Sequence, residues 1–313
     1  FSNLPDTKPP VIKQLALYDG NKSIYEQTPI IVPIATQGKS LKPSKPFYTI
    51  PSNKVFIGIV GDDYMENALG TLGIYEMQMY VEDAPYFAWQ HDNISYDVTR
   101  YMNAMADYTM KKKGGSWIQL CAKLPNNRLE IYKDLNGKKG MIEINHGETK
   151  QVRIVVLDAK GNKNELSFSL LEGSNSSSTT CNVFCKSGKK NNPSTANSSC
   201  ALAEDALYDD ICFVASVRPS ANTYSHIYQI HHNAVPVHSY FEVQLQPKVE
   251  IPPALREKLI VQRLPERGEN TKKGKSAKYS NGKVIASIRE FGNYEIAIDQ
   301  TPPKISTALV NNS

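Results

Sequence analysis

Apolar side chains recur at every second position through much of this chain, and that period commits it to β-structure. Tyr75, Met77, Met79 and Val81 alternate with Glu76, Gln78 and Tyr80. Successive strand residues point to opposite faces, so this spacing gives one buried face and one wet face. Ile118, Leu120, Ala122 and Leu124 repeat the pattern, as do Phe241, Val243 and Leu245, and then Tyr294, Ile296 and Ile298. Turn residues mark two hairpins. Asp158-Ala159-Lys160-Gly161-Asn162 separates the apolar runs 152–157 and 166–171, and Ser280-Asn281-Gly282 precedes 283–288. Helical spacing is confined to Val98, Tyr101, Met102 and Met105, behind Asp97 as a cap, with one further turn at 252–260. The expected class is all-β: tandem immunoglobulin- or fibronectin-like β-sandwiches with a short helical insertion near 97–108.

With 313 residues, 40% of them hydrophobic, the chain exceeds one ordinary sandwich and can fill more than one core. A repeat suggests how it is divided. Asp6-Thr7-Lys8-Pro9-Pro10-Val11-Ile12 returns as Asp299-Gln300-Thr301-Pro302-Pro303-Lys304-Ile305, and both copies fit D-x-x-P-P-x-I. A proline pair cannot donate to a ladder and holds the backbone extended, so it reads as a stiff joint, with the next isoleucine opening a strand. The expected organisation is a linker over 1–8, a sandwich over 9–172 and a Ser/Asn-rich, cysteine-containing loop over 173–199. A second sandwich over 200–298 and a linker over 299–313, leading to a following domain, complete it.

The charge balance, 36 basic against 31 acidic side chains, is too even to point to nucleic acid. No apolar run is long enough to span a bilayer, so no transmembrane segment is expected. The Lys-rich runs 111–113 and 272–278 read as solvated loops. Four of the five cysteines, Cys181, Cys185, Cys200 and Cys212, surround the Ser/Asn-rich loop, and Cys121 stands apart. Such a loop needs a staple. A disulfide from Cys200 to Cys181 or Cys185 is the expectation, in keeping with an exported, periplasmic or envelope-associated chain. Only Cys181 and Cys185 have knuckle spacing, which disfavours a four-cysteine zinc site.

The motifs of catalysis are missing. There is no H-E-x-x-H or H-x-H among the six histidines, no G-x-S-x-G and no phosphate-cradling glycine loop. His231 and His232 would point to opposite faces of a strand. Asp62 and Asp63 suggest a calcium-like cluster with Asp92 or Asp158, but about six oxygen ligands are needed and turn hydrogen bonding is the commoner use. No catalytic residue, cofactor or metal ligand is therefore assigned. One surface remains: Tyr86, Phe87 and Trp89 form an aromatic group suited to a sugar or a protein, with sandwich core as the competing use.

An ordered series of short motifs resembles a known family. It runs through Asp6–Tyr18, 55–59 and 72–75, then Ser95-Tyr96-Asp97-Val98-Thr99-Arg100-Tyr101 and Asp107-Tyr108. Pro125-Asn126-Asn127-Arg128-Leu129, Ala206-Leu207-Tyr208-Asp209 and Phe291-Gly292-Asn293-Tyr294 follow. This is similar to the region after the catalytic domain in periplasmic lysostaphin-like zinc metallopeptidases of Bacteroidetes-type bacteria, which cleave peptidoglycan. The resemblance implies a non-catalytic accessory region that positions a peptidase or docks it on peptidoglycan or an envelope protein complex. It places zinc only in an upstream peptidase domain, and no metal-binding residue carries over to this chain. The alternatives are an interaction or adhesion module of an outer-membrane assembly, or a carbohydrate-binding module.

Overall fold

The structure, a computed structural model, describes residues 6–37, 40–50, 52–66, 69–173, 180–266 and 268–300. The proline pair of the second motif copy and most of the 299–313 linker lie outside these residues, as do parts of the 1–8 linker and of the 173–199 loop. The chain forms two compact units and does not divide at a single point. The first takes the chain up to Asn191 together with Ala203–Phe213 and Asn233–Ser239. The second takes Asn192–Leu202, Val214–His232 and the chain from Tyr240 onward.

The first unit contains two six-stranded sheets. One is built from β1 (Val11–Asp19), β2 (Ile30–Gln37), β3 (Ser40–Pro43), β5 (Lys54–Asp62), β8 (Gln119–Leu120) and β10 (Ile142–Glu143). Its order is β10-β5-β1-β2-β3, with β8 also on β5. The other has the order β4-β12-β11-β6-β7-β9, from β4 (Phe47–Thr49), β6 (Glu76–Val81), β7 (Ala84–Gln90), β9 (Tyr132–Asp134), β11 (Thr149–Leu157) and β12 (Lys163–Leu171). All its neighbours are antiparallel except β4 and β12. The all-β expectation holds, and the two sheets differ in how plainly they show it. In β6 and β12, buried and less buried residues alternate strictly, the mark of a sheet with one covered face. In β1 and β5, Leu15 to Tyr18 and Val55 to Ile59 are buried without alternation, so these central strands are covered on both faces. At Gly58 a Cβ would meet Ile118 Cγ2 at 2.4 Å, so only glycine lets that cover come so close.

The helical insertion is real but broken. A 3₁₀ helix spans Tyr96–Ala104, and a single α-helix, α1 (Tyr108–Lys112), follows. Asp107 is the functional cap, accepting from Met110 N–H and from the Tyr18 hydroxyl at 2.8 Å, whereas Asp97 lies inside the 3₁₀ helix. The cap explains why Lys111 and Lys112 sit in a helix's last turn, not in a loop: cations there meet the carbonyl end of the dipole.

In the second unit, one eight-stranded arrangement has the order β13-β16-β19-β18-β17-β20-β15-β14. Its strands are β13 (Ser198–Ala201), β14 (Ala215–Arg218), β15 (Ile227–Ile230), β16 (Phe241–Leu245), β17 (Leu259–Arg263), β18 (Lys273–Ser280), β19 (Lys283–Ile288) and β20 (Gly292–Ile298). β18 turns a corner. Its first half, Lys273 to Ser276, pairs with β17, and its second half, Ala277 to Ser280, pairs with β19. The lysine run expected to be a loop is this strand. It hides its period because only Ala277 and Tyr279 are partly covered and the remaining side chains are exposed. Asn281 and Gly282 have φ of 51° and 75°, which closes the β18–β19 hairpin as its sequence foretold.

The disulfide also differs from expectation. Cys181 joins Cys212, with Cα atoms 5.5 Å apart, and not Cys200. Phe184–Cys185 pairs with Ile211–Cys212 in a two-stranded ladder that brings the two half-cystines together. Cys200 lies in β13, opposite Val243 of β16, in the other unit. Cys185 is a buried thiol within the ladder. A cross-link between residues 31 apart stabilises by about 4 kcal/mol on the loop-entropy relation. Cys181→Ser with Cys212→Ser is therefore expected to lower the melting temperature of the first unit. Reductant should lower the wild type to the same value in a thermal melt and leave the double variant unmoved.

Candidate functional site

The aromatic group proposed as a surface is mostly core. Phe87 and Trp89 are fully buried, and the Trp89 indole donates to the Leu120 carbonyl at 3.0 Å while its ring stacks on His91 at 4.7 Å. Tyr86 is half-buried, its hydroxyl donating to the Met141 carbonyl at 2.5 Å. An indole is worth burying when its N–H finds an acceptor, and β8 supplies one. His91 beside it is held below its usual range by burial. Trp89→Ala is accordingly a core truncation, expected to cost about 3–5 kcal/mol in chemical denaturation.

The loops of the first unit are fastened by the residues that carried the family resemblance. The Asn126 side-chain amide donates to the Leu207 carbonyl at 2.8 Å and to the Glu204 carbonyl at 3.1 Å, and the Asn126 backbone N–H donates to the Tyr208 carbonyl. The Tyr208 hydroxyl donates to the Arg100 carbonyl at 2.9 Å, which leaves its oxygen to accept from His238 Nδ1 at 3.0 Å. Arg100 Nη2 in turn donates to the Val237 carbonyl at 2.8 Å, and the His238 ring stacks on Tyr101 at 3.9 Å. Asp209 accepts from the Ser23 hydroxyl at 2.8 Å and from Ile24 N–H at 3.1 Å. Burial pushes the Asp209 carboxyl up to about 6 in spite of these donors. None of this set is a nucleophile–base couple. It is a set of clamps that ties the returning segments 203–213 and 233–239 to the helical insertion and to the loops that carry Ser23 and Asn126.

Of the aspartates, the structure joins Asp63 to Asp158 and adds Asp6. One carboxylate oxygen from each lies within 4.8 Å of the others, whereas Asp62 pairs with Lys13 and Asp92 lines a cleft elsewhere. Turn bonding occupies much of the group. Asp158 accepts from Lys160 N–H, Asn162 N–H and the Asn162 side chain, Asp63 accepts from Tyr64 N–H, and Asn162 also donates to the Asp6 carbonyl. Burial, and then the charges of Asp158 and Asp6, raise the Asp63 carboxyl above the usual carboxylate range. A raised value in the folded state means that this group's contribution is greatest in acid and is lost as pH rises through it. Asp63→Asn, which keeps the acceptor for Tyr64, should therefore melt higher than wild type at pH 7. The gap should close as the pH falls towards the ordinary carboxylate value.

His231 and His232 do not sit in a strand. His231 has φ of 53°, and the two rings lie 5.0 Å apart, so the opposite-faces argument does not apply. Burial, with His232 second, pushes the His231 imidazole down to about 3, and its Nδ1 accepts from Val214 N–H at 3.2 Å. It is a neutral core group.

The first unit also bears an open cleft of about 550 Å³, lined by polar and apolar residues alike. One wall is the chain leaving β7, with Gln90, Asp92, Asn93 and Asp97, and the other carries Arg128 and Glu130 on the approach to β9. Gln90 N–H donates to the Ile131 carbonyl at 3.0 Å, fixing the two walls to each other. Below them the Tyr132 hydroxyl accepts from Asn127 at 2.9 Å. The Ser95 hydroxyl donates to Asp97 and holds its carboxyl below the usual range. Sequence reasoning chose the aromatics of β7 and passed over this neighbouring loop, because its polar residues have no period and resemble any turn.

Fold and clamps define an all-β protein whose two units alternate along the sequence. Residues 182–299 match a family model described as Zu5-like domain, so this part of the chain is similar to that family. No curated protein matches the chain.

Proposed function

We propose that this chain is a non-catalytic accessory region of a periplasmic peptidoglycan metalloendopeptidase, positioning the peptidase or docking it in the cell envelope. One observation carries the reading. The motifs that resemble the region following such peptidases include the residues that clamp the first unit's loops, Asn126 to Leu207, Tyr208 to Arg100 and Asp209 to Ser23. Such residues are kept by a fold and not by a chemistry, and an accessory region is what a fold-keeping motif series describes. On this reading zinc belongs to an upstream peptidase domain, and the side chains here supply attachment and spacing.

The reading is tested on the whole coding sequence. The stretch upstream of Phe1 is expected to encode a domain with separated His and Asp ligands and a late H-x-H. The full product is expected to release muropeptides from purified sacculi in a chelator-sensitive way, while this chain alone releases none and still sediments with them. An upstream sequence without such a domain, or hydrolysis by this chain alone, would refute it.

A further inference from the structure

We infer that the cleft between the end of β7 and the approach to β9 is a saccharide-binding site, with Tyr96 as its stacking platform. The inference rests on the envelope-docking reading and names the ligand that docking would use. The first observation is the cleft's chemistry. Its walls present planar acid and amide groups, Gln90, Asp92, Asn93, Asp97 and Glu130, which can accept from or donate to adjacent hydroxyls of a sugar ring in pairs. Arg128 adds planar donors opposite them. Ile94, Val98, Leu129 and Ile131 add apolar wall between these groups, and a lining that is part polar and part apolar suits a hydroxyl-rich ring with C–H faces of its own.

The second observation is an exposed ring next in sequence to the lining residues. Tyr96 stands between two lining residues, Ser95 and Asp97, and is 96% exposed. An aromatic so bare stabilises nothing in the fold, but a flat apolar face with a polar tip stacks well on the C–H face of a pyranose. The third is rigidity. Ser95 fixes Asp97, Asn127 fixes Tyr132, and the two walls are bonded through Gln90 and Ile131, so the site is formed before the ligand arrives. A peptide fits less well. Strand addition needs a long free edge, and β9 is three residues long.

The test uses the intact chain and an uncharged trimer of β-linked N-acetylglucosamine in calorimetry or NMR titration. Saturable binding is expected, weakened about tenfold or more by Tyr96→Ala and by Asp92→Ala, which corresponds to about 1.4 kcal/mol or more. Tyr240→Ala, an exposed aromatic of the other unit, should leave it unchanged. The substituted side chains are exposed, so melting temperatures should stay at the wild-type value and report that the variants are folded. No saturable binding, equal binding by Tyr96→Ala, or preference for a zwitterionic tripeptide over the sugar would overturn the inference. Sedimentation with sacculi separates it from the broader reading. If Tyr96→Ala sediments like wild type, the cleft fails and envelope docking stands. If the trimer binds but the wild type does not sediment, the cleft stands and docking fails.

Discussion

The first unit depends on satisfying the backbone of chain segments that return to it from far along the sequence. Segments 203–213 and 233–239 contribute only one isolated bridge to each other, Leu207 to Val237, and no long ladder. Where short backbone contacts do not reach, their carbonyls are met by side chains, since each buried polar group left unmet costs about 1–3 kcal/mol. Asn126, Arg100 and Thr109 do this from the side of the insertion and the loops beside it, and Asp209 of the first return accepts in turn from Ile24 N–H. A glutamate, Glu26, accepts from Cys212 N–H at the end where the disulfide also holds the segment. The 3₁₀ helix exists to present Arg100 and Tyr101 to the second return, which explains an irregular helix in an otherwise all-β unit.

This economy determines what the titratable groups can do. Asp107 and Asp209 are raised by burial, yet each is held by donors that keep it in place. The perturbed groups so often found at active sites here have structural partners, which is the commoner cause when no nucleophile stands beside them. In the second unit Arg263 shows the same pattern. Its side chain is 3% exposed and lies 2.8 Å from Glu269 and 2.9 Å from Glu290. A buried guanidinium so flanked holds the loop after β17 against the loop before β20, a use of charge that gives register more than net stability.

The fold class was legible because period two survives wherever one sheet face is wet, as in β6 and β12. It failed where that condition fails. β18 shows no period because its side chains are exposed at a corner, so Lys273 to Lys278 looked like a loop. Trp89 could not be assigned from sequence, since surface and core aromatics share one composition, and only the acceptor on Leu120 decides between them. The disulfide was misassigned for a related reason. Cys200 is near Cys181 in sequence, but Cys212 is brought to Cys181 by a two-residue ladder that sequence cannot reveal. The Asp63–Asp158 approach was readable in outline from residue type, whereas Asp6 entered only through the hydrogen bond from Asn162.

The relation between Trp89 and Tyr96 bears on where a surface of this unit can act. Both belong to the stretch that leaves β7, and the strand ends at Gln90 between them. Inside the strand, alternate positions are already committed to the core, and an aromatic there is consumed by packing. Past the strand end the backbone no longer repeats, Asn93 takes a left-handed conformation with φ of 51°, and side chains are turned outward. An aromatic in that position is free to meet a ligand, while the adjacent strand keeps the loop rigid through the Gln90 to Ile131 bond. A binding site on a sandwich of this kind thus belongs at the strand's end, where a rigid ladder and an uncommitted ring are only a few residues apart.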